Sequence, residues 1–263
     1  MKNKYRNFNF SLILALVLSF CGGALEAYSL TNRGAFALMQ TGNIINVFIT
    51  LVKGDWSNLL VSLIVIITFI FGLFISNLIE YFCAKKEIRY QPIELVLATI
   101  LLVAVIFIPA NYLIEDTAIV EGNRLDAFNI GANVLLALIG AMFLESFRKM
   151  NDKNFTSTMM TANLQRMVSS FFKGEEKHDQ KELLNGVDYI FVILSFGLGV
   201  IWSFGYFYLL KDYFLSGSDY WIKILPNLSL LFVVLLIILL LLFRKIYLAR
   251  RKVNLTIEEE IKE

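Results

Sequence analysis

Long apolar runs alternate with short charged stretches along the whole chain. A helix needs about 20 mostly apolar residues to cross a hydrocarbon core about 30 Å thick. Six runs approach this length, at residues 8–27, 59–83, 93–114, 130–147, 187–210 and 224–247. The pattern predicts an all-α membrane protein with six transmembrane helices in contact with the lipid bilayer. The last run is almost uniformly Leu, Ile, Val and Phe, so we expect its helix to lie at the periphery, facing lipid.

Two further stretches, residues 34–52 and 155–172, are less apolar and carry polar residues at their centres. These centres read Gln40-Thr41-Gly42-Asn43 and Thr161-Ala162-Asn163-Leu164-Gln165-Arg166. Each stretch either crosses the bilayer completely or enters and leaves on one side. This choice decides the topology.

The distribution of Lys and Arg favours the second arrangement, although the net charge of +2 is itself uninformative. Basic residues in short loops stay on the cytoplasmic side of a membrane. Two full crossings would give eight spans and would place the basic loops around residues 85–89 and 148–153 outside. Two re-entrant or broken segments instead place 18 basic residues of loops and tails inside and five outside. We therefore predict six spans, with the N-terminus and the C-terminus both cytoplasmic.

Composition excludes several classes of protein. Hydrophobic residues make up 57% of the chain and charged residues 17%, whereas charged residues are about a quarter of a soluble domain. Cys21 and Cys83 both fall in apolar runs, and the single histidine, His178, lies in a charged loop. These residues offer neither a disulfide framework nor a metal or Ser-His-Asp site. We expect no enzyme activity, no cofactor, no metal and no nucleic-acid partner.

A short sequence recurs in the two halves of the chain. Leu25-Glu26-Ala27-Tyr28 matches Leu144-Glu145-Ser146-Phe147, and Met39-Gln40-Thr41-Gly42-Asn43 matches Met159-Met160-Thr161-Ala162-Asn163. The repeats predict a first half at residues 1–120, a second at 121–252, and a charged cytoplasmic tail at 253–263. Because each half would hold three crossings, an odd number, the two repeats would be inverted. Inverted repeats with matching broken helices are typical of secondary transporters, whose substrates bind near the midplane.

The two polar centres are therefore the candidate site. Irregular backbone within a membrane is tolerated where it is buried in protein or lines a cavity. Gly42 permits a break in the helix. With Ala162 at the equivalent position, the second copy is either broken in the same way or a continuous tilted helix. Arg166 would be the basic group deep in the second segment. We predict as substrate-binding residues Gln40, Thr41, Gly42, Asn43, Thr161, Ala162, Asn163 and Arg166.

Simpler roles remain open for the same residues. The Thr and Asn side chains would also serve as hydrogen bonds between helices, and Arg166 would also reach the cytoplasmic interface. Glu26 and Glu145, near the ends of their spans, fit an interfacial, a proton-coupling or a structural carboxylate. Small residues in the first, fourth and fifth runs predict close helix contacts in the interior. The lipid-facing exterior leaves a homodimer open.

Three motifs follow one another in the first part of the chain. They are Gly22-Gly23-Ala24-Leu25-Glu26-Ala27-Tyr28-Ser29-Leu30, Gly34-Ala35-Phe36 and Met39-Gln40-Thr41-Gly42-Asn43. These motifs resemble those of the YoaK family of small bacterial membrane proteins, and the resemblance extends beyond them. It extends over nearly the full chain, although Glu26 stands where the family usually has Asp and the second signature is Thr-Ala-Asn. The resemblance implies an inner-membrane protein with a transport role and gives no substrate.

Together these features lead us to expect a secondary transporter or facilitator for a small polar or anionic solute. A passive channel and a non-transporting scaffold or sensor are the alternatives.

Overall fold

The computed structural model describes residues 12–110, 113–115, 118–121, 125–147, 149–150, 153–215 and 220–243. Most of these residues are helical, in the elements α1 (Leu12–Arg33), α2 (Gln40–Lys53), α3 (Trp56–Lys85), α4 (Gln91–Ile106), α5 (Ala127–Ser146), α6 (Met160–Lys177), α7 (Gln180–Leu215), α8 (Tyr220–Ile224) and α9 (229–243). A 3₁₀ turn, Leu225–Leu228, joins α8 to α9. Two short antiparallel hairpins pair β1 (Leu113–Glu115) with β2 (Ala118–Glu121) and β3 (Lys149–Met150) with β4 (Lys153–Asn154).

Five of the helical segments are long and apolar enough to cross a membrane. They are α1, α3, α5, α7 and the continuous stretch Tyr220–Phe243, and α4 is a shorter apolar helix of 16 residues. At 1.5 Å per residue α4 is about 24 Å long. The chain is thus a helical, multi-pass membrane protein by the length and composition of its helices.

The predicted third span, residues 93–114, is wrong in its second half. Helix α4 ends at Ile106, Phe107 is its C-cap, and Leu113 already belongs to β1. Pro109 supplies the physical reason, since a proline disfavours helical dihedral angles at the residue before it. The other helices extend beyond their predicted runs, with α1 continuing to Arg33 and α7 beginning at Gln180. Residues 1–11 and 244–263, including the predicted cytoplasmic termini, lie outside the described residues.

Helices α1 and α7 pack side by side and run in the same direction. The hydroxyl of Ser195 donates to the carbonyl of Leu16 at 2.8 Å. One turn further on, a Cβ added at Gly199 would lie 2.0 Å from the carbonyl oxygen of Phe20, and a Cβ at Gly23 would lie 2.0 Å from that of Phe196. The two backbones touch only because both positions are glycine, as small residues permit in membrane helices.

Helices α1 and α5 run in opposite directions. The side-chain amides of Asn129 and Asn133, at the start of α5, donate to the carbonyl of Arg33, the last residue of α1. Further along α5, Gly140 packs against the segment that returns from the end of α1.

The main core lies between α1, α4, α5 and α9. Its fully buried side chains include Leu18, Leu25, Leu102, Leu136 and Leu230. The expectation that the last run lies wholly at the periphery is therefore wrong. One face of α9 is buried in this core, and the other is exposed at Leu231, Leu235 and Leu239. A uniformly apolar helix does not reveal from its sequence which face packs on protein and which on lipid.

Candidate functional site

Both segments of intermediate hydrophobicity consist of a non-helical loop followed by a helix. We call residues 34–39 with α2 the first unit, and residues 155–159 with α6 the second unit. Met39 precedes α2 with φ −88° and ψ 77°, and Met159 precedes α6 with φ −96° and ψ 80°. Buried and exposed positions also follow the same order in residues 35–50 and 155–170. The matching sequence motifs therefore mark two segments of the same local conformation.

The predicted position of the break is wrong by a few residues. Gly42 lies in the first turn of α2, and the chain is non-helical before Gln40. Gly42 is required instead for packing, since a Cβ there would lie 2.6 Å from the ring of Phe36. In the second unit the residue equivalent to Phe36 is Thr156, a smaller side chain. This explains why Ala162 is accommodated, and why α6 begins with the same break rather than continuing as one helix.

Asn43 and Asn163 join each loop to its helix. The carboxamide of Asn43 accepts from the backbone N–H of Phe36 at 3.1 Å and donates to the carbonyl of the same residue at 2.6 Å. Asn163 accepts from the N–H of Thr156 at 3.4 Å and donates to its carbonyl at 2.7 Å. Both side chains are fully buried. In this conformation each predicted binding residue holds the backbone seven positions before it.

The other predicted site residues surround these two asparagines. Gln40 donates to the carbonyl of Ala37 and accepts from Asn43. Arg166 is half-buried and donates to the carboxamide oxygen of Asn163 at 3.2 Å. Thr41 and Thr161 are exposed at equivalent positions in the first turns of α2 and α6. Among the described residues, the structure gives no hydrogen bond between the predicted site residues of the first unit and those of the second.

Glu26 lies on the first unit. Its carboxylate accepts from the backbone N–H groups of Leu38 at 2.9 Å and Met39 at 3.2 Å, and the side chain is 5% exposed. These N–H groups precede α2 and have no partner within that helix, so Glu26 satisfies donors that would otherwise be buried without one. The carboxylate of Glu145, at the equivalent place on α5, is equally buried.

The two loops pack against the first helix of the opposite half. The carbonyl oxygen of Ala37 lies against Gly140 of α5, where a Cβ would be 2.7 Å away, and that of Ser157 lies against Gly22 of α1, where a Cβ would be 2.6 Å away. Positions 37 and 157 are equivalent in the two units. Gly22 and Glu26 are one turn apart on the same face of α1, about 6 Å along its axis. Both loops therefore reach that face near its middle.

A buried polar cluster at the end of α4 was not predicted from the sequence, and Arg33, one of the five basic residues counted as outside, belongs to it. Arg33 is fully buried and donates to the carbonyls of Ile108 and Pro109 and to the hydroxyl of Tyr28. Asn227 donates to the carbonyls of Ile106 and Ile108 and accepts from Tyr28 at 2.6 Å. Asn227 satisfies the last carbonyls of α4, which a helix end leaves unpaired, and Arg33 binds carbonyls of the segment that follows the helix. A polar residue within the last apolar run, Asn227, was the available signal.

The described residues hold no group of three His, Cys, Asp or Glu side chains arranged to bind a metal. The polar atoms at the two units belong to amides, hydroxyls, the Glu26 carboxylate, the Arg166 guanidinium and the backbone. Such groups can hydrogen-bond a polar or anionic ligand.

Comparison with known proteins places the chain in a family. No curated protein and no solved structure matches it. The family model described as "Protein of unknown function (DUF1275)" matches residues 14–218. This range includes both units and helices α1 to α7, apart from the first two residues of α1. This is the family that the YoaK-type motifs indicated. The chain belongs to the DUF1275 family.

Proposed function

We propose that this protein is a secondary transporter or facilitator of a small polar or anionic solute. The solute would bind near the bilayer midplane, between Thr41–Asn43 of the first unit and Thr161–Asn163 of the second. One observation carries the proposal: two equivalent broken helices bring their loops to one face of α1, one turn apart. Broken helices that meet at a repeat interface are where secondary transporters bind their substrates.

The directions of the helices support two inverted repeats of three spans. Helix α1 opens the first repeat and α5 opens the second, and these two helices are antiparallel. Each unit would then re-enter from its own side of the membrane. With basic loops inside, both termini are cytoplasmic and the membrane is the bacterial inner membrane.

The contacts between the halves suggest how alternating access would work. Each loop rests on a glycine of the opposite half through a backbone carbonyl, and Leu38 is the loop side chain that also packs on Gly140. Each loop is tied to its own helix by an asparagine, so a unit can move as one body. Sliding of one unit along Gly22 or Gly140 would open the midplane to one side while the other unit keeps it closed.

Transport by reconstituted protein tests this proposal. The experiment compares saturable uptake into liposomes, over a panel of small polar and anionic solutes, between wild type and Thr41→Val/Thr161→Val. Both hydroxyls are exposed at the proposed site, so we expect the double variant to lose about tenfold in uptake, the equivalent of about 1.4 kcal/mol. Thr99→Val, in α4, is the matched control and should transport like wild type.

Wild-type protein that moves no solute of the panel, or a double variant that transports as wild type does, would refute the assignment. Counterflow separates the alternatives, because a passive channel shows no saturation and no accumulation of labelled solute driven by a gradient of unlabelled solute.

A further inference from the structure

Helices α2 and α6 each carry an apolar stripe on their outer surface. In α2 it consists of Ile44, Phe48 and Val52, and in α6 of Leu164, Val168 and Phe172. These six residues are exposed and occupy equivalent positions. Residues four apart lie on one face of a helix, so each stripe is continuous. An exposed apolar stripe on a membrane helix suits contact with lipid.

The neighbouring exposed stripe differs between the two helices. In α2 it reads Thr41, Ile45, Ile49 and Lys53, and in α6 it reads Thr161, Gln165, Ser169 and Lys173; all eight residues are exposed. The backbone and the burial pattern are the same, so the difference is one of chemistry alone. We call residues 161, 165, 169 and 173 the polar stripe of α6.

Polar side chains along a re-entrant helix need water or protein beside them. Intramembrane polar and charged residues almost always face a bundle interior or a water-filled cavity. The polar stripe runs from Thr161, next to Asn163, out to Lys173 at about 1.5 Å per residue, about 18 Å in all. It therefore connects the proposed site with the end of α6.

The basic side chains along this face of α6 favour the approach of a small anion. Lys173 ends the stripe and Lys177 continues it, while the half-buried Arg166 lies beside the stripe, next to Gln165. Glu176 is the carboxylate of α6 on this face, at its outer end. On α7, Glu182 and Asp188 lie close enough to Tyr189 to act on it electrostatically, together with Arg166. The stripe thus ends in the basic residue Lys173, with Arg166 beside its inner half, and the acidic groups of α6 lie beyond Lys173.

We infer that the polar stripe of α6 lines a water-filled route along which a small anion reaches Asn163 and Arg166, whereas Ile45 and Ile49, on the equivalent face of α2, lie against lipid. This inference rests on the proposed function, because it takes α6 to enter the bilayer. It adds that access is asymmetric: a hydrated vestibule exists on the side of α6, and a narrow apolar closure on the side of α2.

Reactivity of introduced cysteines tests the route without a known substrate. Ser169→Cys and its matched control Ile49→Cys occupy equivalent positions, and the native Cys21 and Cys83 are buried. The probes are methanethiosulfonates carrying either a sulfonate or a trimethylammonium group, applied to proteoliposomes from each side. We expect Ser169→Cys to react at least about tenfold faster than Ile49→Cys, because only the former faces water.

The ratio of the two reagents reports charge. At Ser169→Cys the sulfonate should react faster than the trimethylammonium reagent, and adding Lys173→Gln should lower that ratio about threefold at low salt. Three results would overturn the inference: equal, slow labelling of both cysteines, a ratio insensitive to Lys173→Gln, or spontaneous cross-linking of Ser169→Cys between two copies, which would make this face a dimer interface.

Exchange of the two stripes provides a second test. Gln165→Ile/Ser169→Ile gives α6 the residues that α2 carries, in a backbone that α2 shows to tolerate them. We expect uptake to fall about tenfold, with unchanged thermal stability, because an apolar vestibule would repel a hydrated ion. The reciprocal Ile45→Gln/Ile49→Ser should not increase uptake and should lower stability.

The outcomes separate the two proposals. If Gln165→Ile/Ser169→Ile transports like wild type, this inference fails and the proposed function stands. If wild type transports nothing while Ser169→Cys labels rapidly, the function fails and the water-filled face remains.

Discussion

At the scale of single residues, the asparagines of the two signatures share a structural role. Asn43 and Asn163 each bond the N–H and the carbonyl of one residue in the loop before them. A buried donor or acceptor without a partner costs about 1–3 kcal/mol. These side chains therefore fix the loops whether or not they also bind a solute. A loss of transport in an Asn43 variant would not by itself identify a binding residue.

Asn43→Ala should accordingly destabilise the protein. The substitution leaves the backbone N–H and carbonyl of Phe36 without this partner, and we expect a loss of about 2 kcal/mol in the free energy of unfolding. Thermal unfolding in detergent measures the effect. Thr41→Ala, two residues away on the exposed side of α2, is the control and should change stability by less than about 0.5 kcal/mol. Equal stability of the two variants would show that the hydrogen bonds of Asn43 with Phe36 contribute nothing to stability.

The pair Phe36 and Gly42 gives a second residue-scale prediction. A Cβ at Gly42 would meet the ring of Phe36 at 2.6 Å, so Gly42→Ala should cost about 1–3 kcal/mol, as overpacking does. The second unit has Thr156 and Ala162 at these positions. Adding Phe36→Thr to Gly42→Ala should therefore restore part of the loss. A double-mutant cycle measures the coupling, and simple additivity of the two changes would contradict the packing argument.

At the scale of elements, the crossing of α1 and α7 depends on two glycines. Gly23 and Gly199 let each backbone approach a carbonyl of the other helix, with an added Cβ only 2.0 Å away. The contact involves helix backbone, which cannot move aside as a flexible side chain can. Helices α1 and α7 would have to separate to admit even a methyl group.

Gly199→Ala should therefore strongly destabilise the protein, by more than the 1–3 kcal/mol typical of overpacking in a core. Gly197 lies on the same helix and a Cβ there would meet nothing within 4 Å. Gly197→Ala is the matched control, and we expect it to leave stability unchanged or raise it by up to about 1 kcal/mol, because alanine favours a helix over glycine. Thermal unfolding and yield of folded protein would distinguish them. Similar behaviour of the two variants would show that the crossing can relax.

Sequence patterns predicted the elements better than their packing. Apolar runs located the long helices, because about 20 apolar residues have few other uses, and the Thr-small-Asn motifs located both units. The length of α4 was overestimated, since the apolar run continues through Ile108 and Pro109 beyond the end of the helix. The burial of Arg33 was not predictable from local sequence either. Three of its acceptors, Ile108, Pro109 and Asn227, lie 75 to 194 residues away along the chain, so only the folded chain reveals them.

At the scale of the whole molecule, orientation in the membrane is the property on which the proposals depend. Six spans with two re-entrant units place the α2–α3 turn outside and the α3–α4 loop inside. Eight spans place the α2–α3 turn inside and the α3–α4 loop outside. The α6–α7 turn is cytoplasmic in either arrangement. The contacts of α1 with α5 favour the first arrangement, because two helices in opposite directions require an even number of full crossings between them. Those crossings are α3 and α4 when α2 is re-entrant, whereas a spanning α2 would add a third.

Labelling of single cysteines decides between the two topologies. Lys53→Cys precedes the α2–α3 turn, Ile88→Cys lies in the α3–α4 loop, and His178→Cys is the control in the α6–α7 turn; all three native side chains are exposed. In intact cells a membrane-impermeant maleimide should label Lys53→Cys and spare Ile88→Cys and His178→Cys until the membrane is permeabilised. Labelling of Ile88→Cys and protection of Lys53→Cys would instead mean that both units cross completely. The two repeats would then be parallel, and the loops could not alternate access from opposite faces, so the proposed mechanism would fail along with the topology.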